Sequence, residues 1–241
     1  MRYAILADIH SNLAAFKAVL QDIEERGGAE QLWCLGDIVG YGPDPSECIA
    51  MLCQYNHLCV AGNHDWAAIG RVDISDFNPD AAEACRWTAR QLSPEDVRYL
   101  ENLPLTLSRD DFTIVHGSPR EPIWEYVLST ESAGANFQFF ETRFCLIGHS
   151  HLPVVFKNVG QRCVLMELPP ELRLGENRLI INPGGVGQPR DGDPRAAYAI
   201  YDAGAATIYH YRIPYDIEAT QQRMVEHGLP VFLAMRLSHG W

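Results

Sequence analysis

The sequence predicts an α/β fold with a largely parallel sheet in its first half and a second, mostly antiparallel sheet after it. Three observations carry this reading. Short apolar runs alternate with stretches of helical periodicity up to residue 61, β-like runs separated by Gly, Pro and Asn turns fill the region after residue 150, and five islands of His, Asp and Asn each follow an apolar run. With 241 residues, 47% of them hydrophobic and 10% aromatic, the chain has ample material for a buried core.

In chain order, Tyr3 to Ala7 reads as a strand that stops at Asp8, and Leu13, Phe16, Val19, Leu20 and Ile23 recur at helical spacing until Gly27-Gly28. Gln31 to Leu35 is the next strand, Pro45 to Cys53 a helix opened by Asp44 or Pro45, and Leu58 to Ala61 a third strand before Gly62. Such alternation argues for right-handed β-α-β crossovers, which place the first three islands at the carboxyl ends of strands, where open α/β sheets bind ligands. Asp80 to Gln91 and Pro94 to Glu101 read as helices, the second capped by Ser93 with Pro94 in its first turn, and we expect a helical insertion or lid at about 77–103 within one domain spanning 1–241. Phe112 to Val115 runs into His116, and Phe144 to Ile147 into Gly148-His149. The later strands are expected at Val154 to Val159, Cys163 to Leu168, Arg178 to Ile181, Ala196 to Tyr201 and Thr207 to Arg212, followed by helices over Asp216 to His227 and Val231 to Arg236.

Charge narrows the partners. A net charge of -12 works against non-specific capture of long nucleic acid or an anionic membrane, so a small phosphate ester is the easier substrate. None of the seven cysteines forms a Cys-x-x-Cys pair, and Cys34, Cys59, Cys145 and Cys163 sit in apolar runs, as expected of free thiols in a reducing compartment. No run approaches the ~18 apolar residues of a membrane span, and the apolar start is too short for a signal peptide, which points to the cytoplasm. The pattern assigns no oligomeric state.

The islands are Asp8-Ile9-His10, Gly36-Asp37, Gly62-Asn63-His64-Asp65, His116-Gly117 and Gly148-His149-Ser150-His151. Each has a plain structural reading: a turn with a helix cap for the first, turn chemistry for the second and third, a core histidine for His116, and a metal-free His-x-His loop for the last. What distinguishes them is their order and their common place after strands. Together they hold enough nitrogen and oxygen donors for two metal ions, an arrangement suited to breaking phosphate esters.

This order and spacing resemble the calcineurin-like metallophosphoesterase superfamily, and all five blocks are present between Asp8 and His151. The loops Val39 to Pro45, His116 to Arg120 and Asn182 to Asp191 look like a small bacterial and archaeal branch described as phosphodiesterase-like, which extends the resemblance to nearly the whole chain; Asp65 stands where many relatives carry Glu. The resemblance implies an αββα sandwich of two mixed β-sheets flanked by helices. It implies that Asp8, His10 and His151 hold one metal, that Asn63, His116 and His149 hold the other, and that Asp37 bridges them. It also implies that His64 stands beside the metals, where a protonated imidazole would stabilise the transition state or protonate the leaving alkoxide, with Asp65 orienting or helping to charge it.

Two cations ~3.5 to 4 Å apart can share a water, lower its pKa toward neutrality and aim a hydroxide at phosphorus. Six of the seven implied ligands are His or Asp, with one Asn and no Cys, a set suited to divalent or trivalent Mn, Fe or Zn. Arg190 and Arg120 are candidates for a second grip on phosphate, with surface ion pairs as the plainer account, and Asn12, Tyr41, Trp124 and Tyr126 are candidates to line the pocket. The expected activity is phosphodiester hydrolysis, with monoesters as possible further substrates. A phosphoprotein phosphatase or nucleotide-polyphosphate hydrolase, and a non-catalytic protein-binding scaffold of the same fold, are the alternatives.

Overall fold

The two faces of β1 (Arg2–Leu6) set the layering. Ala4 and Leu6 enter one apolar cluster while Tyr3 and Ile5 enter another, so the strand is buried on both faces. Such a strand needs helices against one face and a second sheet against the other. The computed structural model, which describes residues 1–160 and 162–241, shows that arrangement as an αββα sandwich.

The first sheet runs β3 (His57–Cys59), β2 (Gln31–Cys34), β1, β11 (Ala196–Asp202), β12 (Thr207–Ile213), β9 (Glu171–Arg173). Its first three strands are parallel and the rest antiparallel. The second sheet runs β4 (Thr106–Arg109), β5 (Phe112–Val115), β6 (Phe144–Leu146), β10 (Leu179–Pro183), β7 (Pro153–Val159), β8 (Arg162–Glu167), with β5, β6 and β10 parallel. The expected division into a parallel first half and a separate antiparallel second half is therefore corrected. Late strands complete the first sheet because β11 zips onto β1, Ala4 against Ile200 and Tyr3 against Tyr201, a pairing across almost the whole chain.

Helix α1 (Leu13–Glu25) begins where the Asn12 side chain accepts the Ala15 amide and ends before Gly27 and Gly28, both at positive φ. It packs with α2 (Pro45–Leu52) and with Leu100 of α5 (Pro94–Glu101) against the outer face of the first sheet. In α4 (Pro79–Gln91), Ala81 and Ala84 meet Tyr41, Met224 of α7 (Ile217–Glu226), and Leu233 of α8 (Val231–Met235). The outer face of the second sheet is covered by α6 (Thr130–Asn136) and the Phe137 and Phe140 that follow it. Among the described residues no helix is long and apolar enough to cross a membrane. All seven cysteines are free, five of them buried.

Between the sheets, Trp33 is fully buried, stacked on Tyr3 at 4.5 Å between ring centres and edge-on to Phe112 at 5.4 Å. Its indole N–H donates to the Gln31 side-chain oxygen at 3.1 Å, so no polar atom is stranded. Trp33→Ala should lower unfolding free energy by about 3–5 kcal/mol, the cost of a buried aromatic cavity. Urea unfolding followed by circular dichroism measures it, and a loss below about 1 kcal/mol would show that the two sheets do not depend on this contact.

Candidate metal centre

The five islands meet at one point because the parallel strands of both sheets end there. Asp8 follows β1, Asp37 follows β2, Asn63 opens the short helix α3 (Asn63–Ala68) after β3, His116 follows β5 and His149 follows β6. Backbone bonds tie the loops together: the His10 amide donates to the Asp37 carbonyl at 2.9 Å and the Asp8 amide to the Gly36 carbonyl at 3.1 Å. The Asp8 side chain accepts the His149 amide at 3.1 Å, which joins the two sheets. The chain pays for these sharp turns in backbone strain. Asp8, His10, Ser11, Asp37, Tyr41, His149 and His151 all adopt positive φ, a region that non-glycine residues visit at a cost of about 1–3 kcal/mol each.

Donor atoms converge in three overlapping groups, Asp8 with His10 and His151, His10 with Asp37 and His64, and Asp37 with His116 and His149. Asp37 stands between them, with Oδ2 3.6 Å from His10 Nε2 and 3.3 Å from His116 Nε2. Asn63 Oδ1 lies 3.1 Å from His116 Nε2. In each imidazole the ring nitrogen facing away from the cluster meets a backbone carbonyl: Val39 for His10, Leu35 for His116, Trp124 for His149 and Gln188 for His151. Donation to those carbonyls places a proton on the outer nitrogen and, in a neutral ring, leaves a lone pair pointing inward.

Those inward nitrogens face each other. His10 Nε2 and His151 Nε2 are 3.2 Å apart, and His116 Nε2 and His149 Nδ1 are 3.1 Å apart. His10 and His151, both neutral acceptors, repel at that separation unless an electrophile lies between them, and Asp8 Oδ2 is also buried with no hydrogen-bond partner. Burial lowers His10 and His151 well below the usual imidazole range and His149 to about 3, so these three rings are held neutral, the form that ligates cations, whereas at His116 burial is outweighed by Asp37 and the ring is raised to about 9. Burial also works to raise Asp37, but His116, His64 and His10 around it outweigh that and hold its carboxyl below the usual range. The residues present fit a metal centre made from nitrogen and oxygen donors.

His64 is wedged among other rings, with centres 4.3 Å from Tyr41, 4.8 Å from Phe77 and 4.9 Å from His10. Its Nδ1 is buried without a partner beneath Gly40, where a Cβ would stand 2.6 Å from that nitrogen. Burial pushes its pKa down to about 4, only partly opposed by Asp37. With that pKa the ring is neutral near pH 7.

Asp65, expected to orient or charge His64, does neither, because both its oxygens are committed to main chain. Oδ2 accepts the Asp37 amide at 2.8 Å and the Gly62 amide at 3.0 Å, while Oδ1 accepts the Val39 amide at 3.1 Å. It is a positioning residue for the Asp37 loop. Asn12 is likewise committed elsewhere: it caps α1 and donates to the Gly187 carbonyl at 2.8 Å. Arg120 is exposed and paired with Glu125, away from the cluster.

Arg190 and Tyr41 do reach the site. The guanidinium lies 5.8 Å from the centre of the Tyr41 ring, and its charge contributes to the lowered pKa values of His10, His64 and His151. Beside His64 a cavity of about 200 Å³ is lined by Tyr41, Asn63, Phe77, Trp124 and Tyr126, with Tyr126 stacked on His149 at 3.8 Å. Arg236 is the residue that sequence reasoning missed. It lies in a tail read only as helix, and nothing but the tertiary fold brings its charge near Tyr41, Tyr126 and Arg190.

A family model described as the calcineurin-like phosphoesterase superfamily domain matches residues 1–205. The chain is 38% identical over 243 residues to an uncharacterized protein of Methanocaldococcus jannaschii, covering 98% of this chain and 97% of that one. The crystal structure of a metallophosphoesterase from Sphaerobacter thermophilus superposes with a TM-score of 0.89 at 44% identity, over 100% of this chain and 99% of that one. A symmetrical bis(5'-nucleosyl)-tetraphosphatase of Pseudomonas putida is 30% identical over 103 residues, which span only 37% of this chain and 35% of the relative. With its strand-end histidines and aspartates and this full-length match, the chain belongs to the calcineurin-like phosphoesterase superfamily.

Proposed function

We propose that the protein is a dinuclear metal-dependent phosphoesterase that hydrolyses phosphodiesters and, less selectively, phosphomonoesters. The observation that carries this is the convergence of inward-facing imidazole nitrogens on both sides of Asp37. Asp8, His10 and His151 would hold one cation, Asn63, His116 and His149 the other, and Asp37 both, with Mn, Fe or Zn as the metals. Cations bound there supply the acidity that makes water a nucleophile near neutral pH and offset charge on the phosphoryl oxygens.

The chain's own groups do the rest. His64, next to the pocket and held neutral, offers a hydrogen bond to a phosphoryl or leaving-group oxygen, and a bound anion would favour its protonation. Arg190 offers a forked grip on phosphate from the opposite loop. Phe77, at the start of the 77–103 segment, borders the pocket, and we take that segment as an inserted lid. The net charge of -12 and the free thiols support a small ester substrate in the cytoplasm. The polyphosphate alternative gains support from the partial likeness to a tetraphosphatase.

Protein reconstituted with Mn should hydrolyse a generic aryl phosphodiester or aryl monoester; turnover of neither would give the lead to the scaffold alternative. His64→Ala should keep the wild-type metal content and lose about 10²–10⁴-fold in kcat, the usual contribution of a positioned proton donor. Metal analysis beside steady-state kinetics decides it, and unchanged kcat would remove His64 from the mechanism. Asp65→Asn, which breaks accepted bonds from the Asp37 and Gly62 amides, should cost about 2–4 kcal/mol in denaturant unfolding and lower metal content although Asp65 is no ligand. Wild-type stability and metal content in this variant would refute its positioning role.

A further inference from the structure

On the side of His64 the metal centre is bordered by aromatic rings. His64, Phe77 and Trp124 follow one another in contact, with ring centres 4.8 Å and then 5.5 Å apart, and Tyr41 meets His64 at 4.3 Å. Phe77 and Trp124 stand 83° apart in plane, as two walls of a corner. Both line the cavity of about 200 Å³, together with Tyr41 and Tyr126.

Three separate segments supply these rings, and each is fixed by bonds of its own. Tyr41 follows β2 at positive φ. Phe77 precedes Asn78, whose side-chain oxygen accepts the Ala81 amide at 2.9 Å and caps α4. Trp124 and Tyr126 flank Glu125, which accepts from Ser118, Arg120 and Asn136, while the Trp124 carbonyl meets the His149 ring at 3.2 Å. Phe77 and Trp124 nevertheless stay only half-buried, and Tyr126 is 45% exposed. Fixed rings left open around a void forgo the burial that closing it would supply, which marks a place kept for a ligand.

The lining also restricts the ligand. Among the described residues no Arg or Lys lines this cavity, and Asp76 adds a carboxylate to it. That wall repels a second anionic group and suits an uncharged flat ring, which stacks on aromatic faces. Its volume is below the about 300–1,000 Å³ of a site for a drug-sized ligand, so a ring system fits and a folded peptide does not.

We propose that this cavity receives the leaving alcohol of the substrate and selects one that carries a planar ring, aryl or nucleobase, with Phe77 and Trp124 as the specificity-determining faces. The substrate class is then an aryl or nucleoside phosphate ester. This rests on the phosphoesterase reading above and narrows it.

The probes are phosphonates, whose carbon–phosphorus bond resists hydrolysis, titrated by calorimetry into the Mn-reconstituted full chain. Benzylphosphonate is compared with cyclohexylmethylphosphonate, equal in ring size but puckered, and the phosphonate analogue of adenosine monophosphate with its base-free ribose counterpart. In at least one pair the planar member should bind about tenfold more tightly, the scale of one ring stacked on an aromatic side chain. A preference in the first pair alone assigns a ring attached directly to the ester carbon, and in the second a nucleoside. Phe77→Leu and Trp124→Leu should bring the ratio toward one and Phe77→Tyr should keep it, whereas a merely structural loss would weaken both members alike. Ratios near one in both pairs, no binding of either planar phosphonate, or a ratio unchanged in both Leu variants overturns the proposal. Hydrolysis of the aryl esters, measured separately, reports on the phosphoesterase reading, so either can fail while the other stands.

Discussion

The carboxylate of Asp37 is the constraint around which the molecule is arranged. One oxygen faces His10 and His116, and the other accepts the His64 amide at 2.8 Å. A buried carboxylate costs several kcal/mol unless its lone pairs are answered, and here the His116 ring, which Asp37 raises to about 9 against burial, and the His64 amide answer them. The close approach leaves no room at position 62, where a Cβ would fall 2.0 Å from Asp37 Oδ1, so glycine is required there for space. It also explains why Asp65 is committed to backbone amides: with Asp37 at positive φ, its loop needs an external acceptor for its own N–H.

Much of the fold was legible in the sequence because its signals are local. The periodicities of α1, α4 and α5 and the apolar runs of β1, β2, β5 and β6 each declare themselves within a dozen residues. What escaped was short or non-local. Six-residue α3 is too brief for a helical period and was hidden inside an island, α6 and the strands β4 and β9 carry weak patterns, and the pairing of β11 with β1 has no local signature.

The same division holds at the site. Metal-binding residue types at strand ends can be read from letters, and the structure brings Asp8, His10, Asp37, Asn63, His116, His149 and His151 together. The groups that orient them cannot be read so. The tautomers rest on carbonyls of Leu35, Val39, Trp124 and Gln188, where any residue would present the same atom. Asp65 and Asn12 mislead for the opposite reason: their side chains suit chemistry but are committed to amides and a helix cap. Arg236 lies 85 residues beyond His151, and only the docking of the C-terminal turn brings its segment to the Arg190 loop.

Energetics separates a working site from a retired one. Positive φ at seven residues, the neutral His10 and His151 rings packed nitrogen against nitrogen, and a buried Arg190 Nε without a partner each lower the stability of the polypeptide. Apolar burial between the sheets offsets that cost, since Trp33, Phe112, Ile5 and their neighbours are fully enclosed. A scaffold used only for its surface would gain stability by relaxing any of these features, and most single substitutions at a strained polar site would be tolerated by its fold. The strain falls instead on the loops that aim the donors, while Asp110 and Ala206 are the other non-glycine residues at positive φ among those described. Strain placed so selectively is the physical signature of pre-organisation for an electrophile and its substrate.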